Sequence, residues 1–165
     1  MPYGYNGKVL HVDLSSSTWD VETPSDQWYR TYMGGSAFAS YFLLKMVKPG
    51  IDPLSADNVL VFATSVVCGA PISGYNRYTV AAKSPLTGCF GESEAGGYFG
   101  PELKFAGFDA VVITGKAPQP VYLFIHNGEV EIRDAAGLWG LDNHQTLEKL
   151  EDELADKKIR AATIG

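Results

Sequence analysis

The sequence predicts an α+β fold. Short apolar stretches alternate with period two, helix-period stretches lie between them, and the order strand–strand–helix–strand occurs twice, over residues 8–63 and again over 121–164. The expectation is a single domain over residues 1–165, a duplicated unit building mixed β-sheets, with an internal pseudo-repeat at 8–114 and 121–165.

Each element has a local reason. Lys8-Val9-Leu10-His11-Val12-Asp13-Leu14 alternates as a strand does; Ser15-Ser16-Ser17 turns the chain, and Trp19-Asp20-Val21-Glu22 returns it. Ser25 caps a short helix reaching about Tyr32. A second helix follows Gly34-Gly35, runs through Phe38, Tyr41, Phe42 and Leu44 to Lys45, and is ended by Pro49-Gly50. Asn58 to Ala63 is a buried strand, 69–76 a loop, and Arg77 to Ala82 a strand. The turn Ser84-Pro85-Leu86-Thr87-Gly88 leads to a short strand from Cys89 to Ser93. A helix begins near Tyr98 and ends by Phe105, with Gly107 as a left-handed cap. Asp109 to Thr114 is another apolar strand. Val121–Ile125 and Glu129–Arg133 flank His126-Asn127-Gly128, a strong hairpin signal. Asp142 or Asn143 caps a helix to about Ala155, and Lys158 to Ile164 has the pattern of a final strand. The first copy continues into a Gly-rich stretch, whereas the second stops at Gly165 where the equivalent would begin. The expectation is therefore a piece of a longer protein.

Composition excludes some functions. A net charge of −6 argues against a phosphate-backbone-binding surface. The densest basic group, Lys157-Lys158-Ile159-Arg160, reads as a solvated helix end, so no nucleic-acid partner is expected. The N-terminus lacks a charged start followed by an apolar run, and the longest apolar stretch, around Ala37–Leu44, is too short to span a bilayer. A soluble, cytoplasmic protein with no membrane partner is expected. Cys68 and Cys89 form no C-x-x-C pattern and read as two reduced, mostly buried thiols. His11, His126 and His144 have no metal-ligand spacing, and no spacing marks a nucleophile–base or paired-carboxylate constellation, so no catalytic residue is named.

The stretch GESEAGGYFGPELKFAGFDAVVITG, residues 91–115, is where regular structure is most often interrupted by glycine. Each such interruption costs about 0.5–1 kcal/mol relative to Ala, so a turn, close packing or a ligand should offset it. Gly96-Gly97 before a helix can present bare N–H groups to anionic oxygens, and can equally be a tight strand–helix turn with no ligand. The stretch matches neither G-x-x-x-x-G-K-[ST] nor G-x-G-x-x-G after a strand. Glu92 and Glu94 have the wrong sign for phosphate unless a divalent cation intervenes. Arg77, where the loop meets its strand, can supply a guanidinium or simply lie on the surface.

Arg77-Tyr78-Thr79-Val80-Ala81-Ala82-Lys83-Ser84-Pro85-Leu86-Thr87-Gly88, followed by Ala95-Gly96-Gly97-Tyr98-Phe99-Gly100-Pro101-Glu102-Leu103-Lys104-Phe105-Ala106-Gly107-Phe108-Asp109, closely resembles the aldehyde ferredoxin oxidoreductases, tungsten or molybdenum pterin enzymes. The likeness runs from Gly7-Lys8-Val9-Leu10 through Asp52-Pro53-Leu54-Ser55 to Ile132-Arg133-Asp134-Ala135 and Trp139-Gly140. It implies a considerably longer parent whose duplicated α+β N-terminal domain is a base for two pterin dithiolenes and the metal. Arg77 matches an arginine at the pterin phosphate; Glu94, Ala95, Gly96 and Gly97 match the segment lining the pterin. The main-chain carbonyl of Glu94 is the implied ligand of a magnesium bridging the pterin phosphates. The family pattern has Asn at that position, a change that a carbonyl ligand tolerates. The resemblance implies oxidation of aldehydes to carboxylic acids, with electrons passing through a [4Fe-4S] cluster, held elsewhere in the parent, to ferredoxin. Implied partners are the remainder of the parent chain and ferredoxin, with a homodimer allowed. The resemblance also admits the tungsten subunit of an aromatic acyl-CoA reductase and a non-catalytic scaffold domain of the same fold. This chain by itself is expected to be inactive.

Overall fold

The computed structural model describes residues 4–164. Its first strands are β1 (Val9–Asp13) and β2 (Thr18–Glu22), followed by helices α1 (Asp26–Tyr32) and α2 (Ser36–Met46). Then come β3 (Val59–Thr64), β4 (Tyr78–Lys83), β5 (Phe90–Ala95), α3 (Phe99–Phe105) and β6 (Ala110–Thr114). The hairpin β7 (Val121–His126) and β8 (Glu129–Asp134) precedes α4 (Asn143–Leu154). The fold is α+β, with one mixed six-stranded sheet ordered β2-β1-β6-β3-β4-β5 beside the two-stranded β7-β8 sheet. Among the described strands, only the β1–β6 pair is parallel.

Strand alternation sends the two apolar sets to opposite faces. Val9, Val61, Ala63, Ala81, Ala110 and Val112 pack under α1 and α2, against Tyr29, Phe38, Ala39 and Phe42. Leu10, Val12, Phe62, Val111 and Ile113 face the other way, onto Phe99 and Leu103 of α3 and onto the hairpin residues Leu123, Ile125, Val130 and Ile132. The sheet is thus the middle of three layers, with the edge strand β5 largely exposed. Ser25 caps α1 by accepting from the Trp28 N–H at 3.2 Å. Asp142 and Gln145 close a capping box on α4, a reciprocal pair that satisfies two otherwise orphaned donors.

Three expectations are corrected. Lys158–Ile164 forms no strand, because the pattern needs a partner edge and this segment pairs with neither sheet. Lys157–Arg160 is not a helix end: α4 stops at Leu154 with Ala155 in a left-handed conformation, φ 51°. Cys89 is exposed where the β4–β5 turn enters β5, and only Cys68 is buried; both are free thiols. Burial pushes the Cys68 thiol up, with nearby Lys104 offsetting part of the effect, which suits an unreactive packing residue.

Tyr29 yields a prediction. Its hydroxyl is buried and, among the described residues, has no partner in hydrogen-bond geometry. Burial first, then the Asp109 charge, holds its phenol well above the ordinary value of 10.0. Tyr29→Phe removes no made hydrogen bond, so stability at neutral pH should be unchanged or higher. The raised pKa contributes stability that is intact below pH 10 and lost above it, where the unfolded phenol ionises and the folded one does not. Denaturation of both proteins across that range should show a shallower alkaline decline for the phenylalanine variant.

Candidate functional site

The β4–β5 hairpin carries four of the five expected site residues within or just outside its ladder. Its antiparallel register pairs Lys83 with Phe90, Thr79 with Glu94 and Tyr78 with Ala95. Arg77 and Gly96 are the next residues beyond this end of the ladder on its two sides. The resemblance assigns Arg77 and residues 94–97 to one pterin seat, and the strand register and the Arg77–Glu94 contact set them side by side. Arg77 Nη1 lies 3.6 Å from Glu94 Oε2, with the two side chains 68% and 49% exposed. An ion pair this exposed is worth about 0–1 kcal/mol, so the guanidinium is released at little cost when a stronger acceptor arrives.

Residues 94 to 98 are all exposed. A methyl group built at Gly96 or Gly97 would meet no atom within 4 Å, so the main chain lies bare to solvent. Gly97 has φ +86°, a left-handed turn that carries the chain off the sheet edge into α3. Gly100 has a different reason to lack a side chain: its Cβ would stand 3.1 Å from Cys68 Sγ and 3.3 Å from the Tyr78 ring. Close packing there clamps α3 onto the base of β4 and fixes the preceding glycines beside Arg77. Turn geometry and packing therefore account for Gly97 and Gly100, while Gly96 has neither explanation. With seven residues and no side-chain cap, α3 adds little dipole of its own.

Glu92 and Glu94 share the face that Thr79 and Ala81 occupy on the neighbouring strand. β5 is the last strand of the sheet, and charges on an edge strand also discourage pairing with other chains. Among the described residues, no group of three or more His, Cys, Asp or Glu side chains is placed to hold a metal. His11 bonds Glu22 at 2.8 Å, and His144 lies 3.7 Å from Glu148, each far from the hairpin in the chain. No helix among them is long and apolar enough to cross a membrane.

One contact was missed in the sequence. Arg160, read there as part of a solvated helix end, stacks on Tyr98, its guanidinium carbon 5.1 Å from the ring centroid. A large exposed aromatic directly after a Gly-Gly pair is the signal that could have drawn attention to it.

The aldehyde ferredoxin oxidoreductase N-terminal domain matches residues 9–165. A tungsten-containing aldehyde ferredoxin oxidoreductase of Pyrococcus abyssi is 46% identical over 99% of this chain and 27% of its own length. A Pyrococcus furiosus protein described as an aliphatic sulfonate oxidoreductase, WOR-like subunit, is 35% identical over 94% of this chain and 25% of its own. Among solved structures, the active-site complex of benzoyl coenzyme A reductase bound to 1,5-dienoyl-CoA superposes with a TM-score of 0.91 at 38% identity, over 94% of this chain and 24% of that one. The chain thus spans about a quarter of the length of the relatives it matches. With a domain match from residue 9 to residue 165 and such relatives along nearly all of it, this chain belongs to the aldehyde ferredoxin oxidoreductase family, as its N-terminal domain.

Proposed function

We propose that residues 94–97 and Arg77 form one side of a seat for a phosphorylated tungsten- or molybdenum-pterin group, and that the parent protein oxidises aldehydes to carboxylic acids. The observation that carries this reading is the side-chain-free main chain at Gly96, open to solvent, with a weakly paired guanidinium beside it. A flat, anionic ligand needs close backbone approach and a planar donor for its phosphate, and both are present. When bound, the metal–pterin group supplies two-electron aldehyde oxidation, with electrons leaving singly by way of a [4Fe-4S] cluster in the rest of the parent to cytoplasmic ferredoxin.

This chain's own residues orient and neutralise. Arg77 exchanges Glu94 for phosphate oxygens. The Glu94 main-chain carbonyl offers a hard oxygen to magnesium, which offsets the repulsion between Glu92, Glu94 and the phosphates. No catalytic group is assigned to these residues, and by itself the chain is inactive in this reading. The hairpin β7–β8 and helix α4 are read as the start of a second copy of the β1–β2–helix unit. A second reading, a subunit acting on aromatic acyl thioesters, is favoured by the likeness to the benzoyl coenzyme A reductase complex.

Anaerobically purified parent protein is expected to contain tungsten or molybdenum with pterin, and to reduce a dye when given an aldehyde. Oxidation of a pre-reduced dye by an aromatic acyl thioester, with no dye reduction by aldehydes, would select the second reading. Protein free of both metals would point to a scaffold domain and sink the first two. Arg77→Ala should loosen the pterin about 10- to 150-fold, matching a lost charge-assisted contact of about 1.5–3 kcal/mol. Unaltered metal and pterin content after extensive dialysis would make Arg77 a surface residue.

A further inference from the structure

The segment after α4 does something the proposed seat does not yet use. Having joined no sheet, it carries Arg160 back to Tyr98, the residue that follows Gly97. At 5.1 Å the guanidinium lies within the range in which an aromatic face attracts a cation. The Tyr98 ring is 67% exposed, so it is presented to solvent rather than packed into the core. Arg160 Nη1 donates to the Ile159 carbonyl at 2.7 Å, and no carboxylate among the described residues forms an ion pair with it. A cation lying over a ring face spends no hydrogen bond on it, so apart from the donation to Ile159 the Arg160 N–H groups stay available. Arg77 is tied to one end of the 94–98 stretch through Glu94, and Arg160 to the other through Tyr98.

We propose that Arg160, positioned by Tyr98, is a second anion-binding arm of this seat and grips a phosphate of the cofactor from the end of residues 94–98 opposite to Arg77. The inference rests on the reading of residues 94–97 as a cofactor seat and adds a residue to it. Two arginines flanking bare main chain suit a ligand with two phosphate charges better than a neutral one. Tyr98 acts as a positioning residue: its ring limits the rotamers of a long side chain, so less freedom is lost when the phosphate is bound.

The test is a titration of the cofactor-free parent protein, isotopically labelled at glycine and arginine, with magnesium pyrophosphate, following the Gly96 and Gly97 amides and the arginine Nε–Hε signals. Saturable shifts are expected at Gly96, Gly97, Arg77 and Arg160. Arg160→Gln should raise the dissociation constant about tenfold, equivalent to about 1.4 kcal/mol. Tyr98→Ala should raise it comparably, and the double variant no further than either alone, since both remove one device. Lys157→Gln, which removes a neighbouring charge, should change nothing. Undiminished affinity in the Arg160 variant, with Gly96 and Gly97 still responding, overturns this proposal and leaves the seat standing. Equal weakening by Lys157→Gln also overturns it, because diffuse charge would then explain the effect. No saturable response at Gly96 and Gly97 overturns the arm and the seat together.

Discussion

Asp109→Ala should lower the stability of the domain by about 3–5 kcal/mol, the cost of leaving a buried partner charge uncompensated. Asp109 is 1% exposed and Lys104 5%. Asp109 Oδ1 accepts from the Asn6 N–H at 2.9 Å and lies 3.3 Å from Lys104 Nζ; Oδ2 accepts from the Gly7 N–H at 2.8 Å and the Lys8 N–H at 3.3 Å. Lys104 Nζ also donates to the Ser65 carbonyl at 2.7 Å. One carboxylate therefore ties the segment before β1 to α3, and α3 in turn to the loop after β3. Small domains have only about 5–15 kcal/mol to lose, so the variant should be marginal. Lys104→Met should cost less, because the carboxylate keeps its three main-chain donors and an apolar side chain of similar length fills the space. The pH dependence has a defined sign. Burial lowers the Lys104 pKa, and Asp109 opposes that shift. Between the lowered folded value and 10.5 the unfolded chain holds more protons, so stability rises with pH through that window. Without Asp109 the folded value falls further and the window widens toward neutrality. Asp109→Ala should thus regain part of its loss when denaturation is repeated at mildly alkaline pH. A loss below about 1 kcal/mol would mean that the ammonium finds another partner or water.

What could be read in the sequence was local. Val9–Asp13 and Val59–Thr64 are strands because their apolar residues serve two buried faces; Asn127-Gly128 turns a hairpin with φ 50° and 85°, and Asp142 caps α4. Nothing local says that β1 lies between β2 and β6, or that Lys104, in an ordinary amphipathic helix, is an interior cation. Those facts arise when segments about 100 residues apart in the chain meet. The Lys158–Ile164 pattern fits a strand, but a strand exists only with a neighbour, which its own residues cannot reveal. The site lay between these limits. A turn at residues 84–88 between two strands fixes a register, and register arithmetic alone would have put Arg77 and Gly96 at the same end of the ladder. The stacking of Arg160 on Tyr98 involves residues 62 positions apart and had no such route.

Gly96→Val should empty the proposed cofactor seat while leaving the fold intact, a separation few positions offer. Gly96 is not among the residues with positive φ, and a side chain built there meets nothing within 4 Å. A valine at an exposed site beside an edge strand should change stability by no more than about 0.5 kcal/mol. Gly97, at φ +86°, would be strained by the same change and could not separate folding from binding. A branched side chain at Gly96 would stand over the main chain that a flat ligand must approach, at the same end of the ladder as Arg77. Unlike Arg77→Ala, which removes one contact and weakens retention, it opposes every ligand pose that uses this surface. In the parent protein, Gly96→Val is therefore expected to purify with an unaltered thermal transition of this domain, yet with pterin and metal reduced to background. If that variant carried a full complement of cofactor, residues 94–97 would be a turn and nothing more. The exposed glycine would then need another explanation, because neither backbone strain nor packing supplies one.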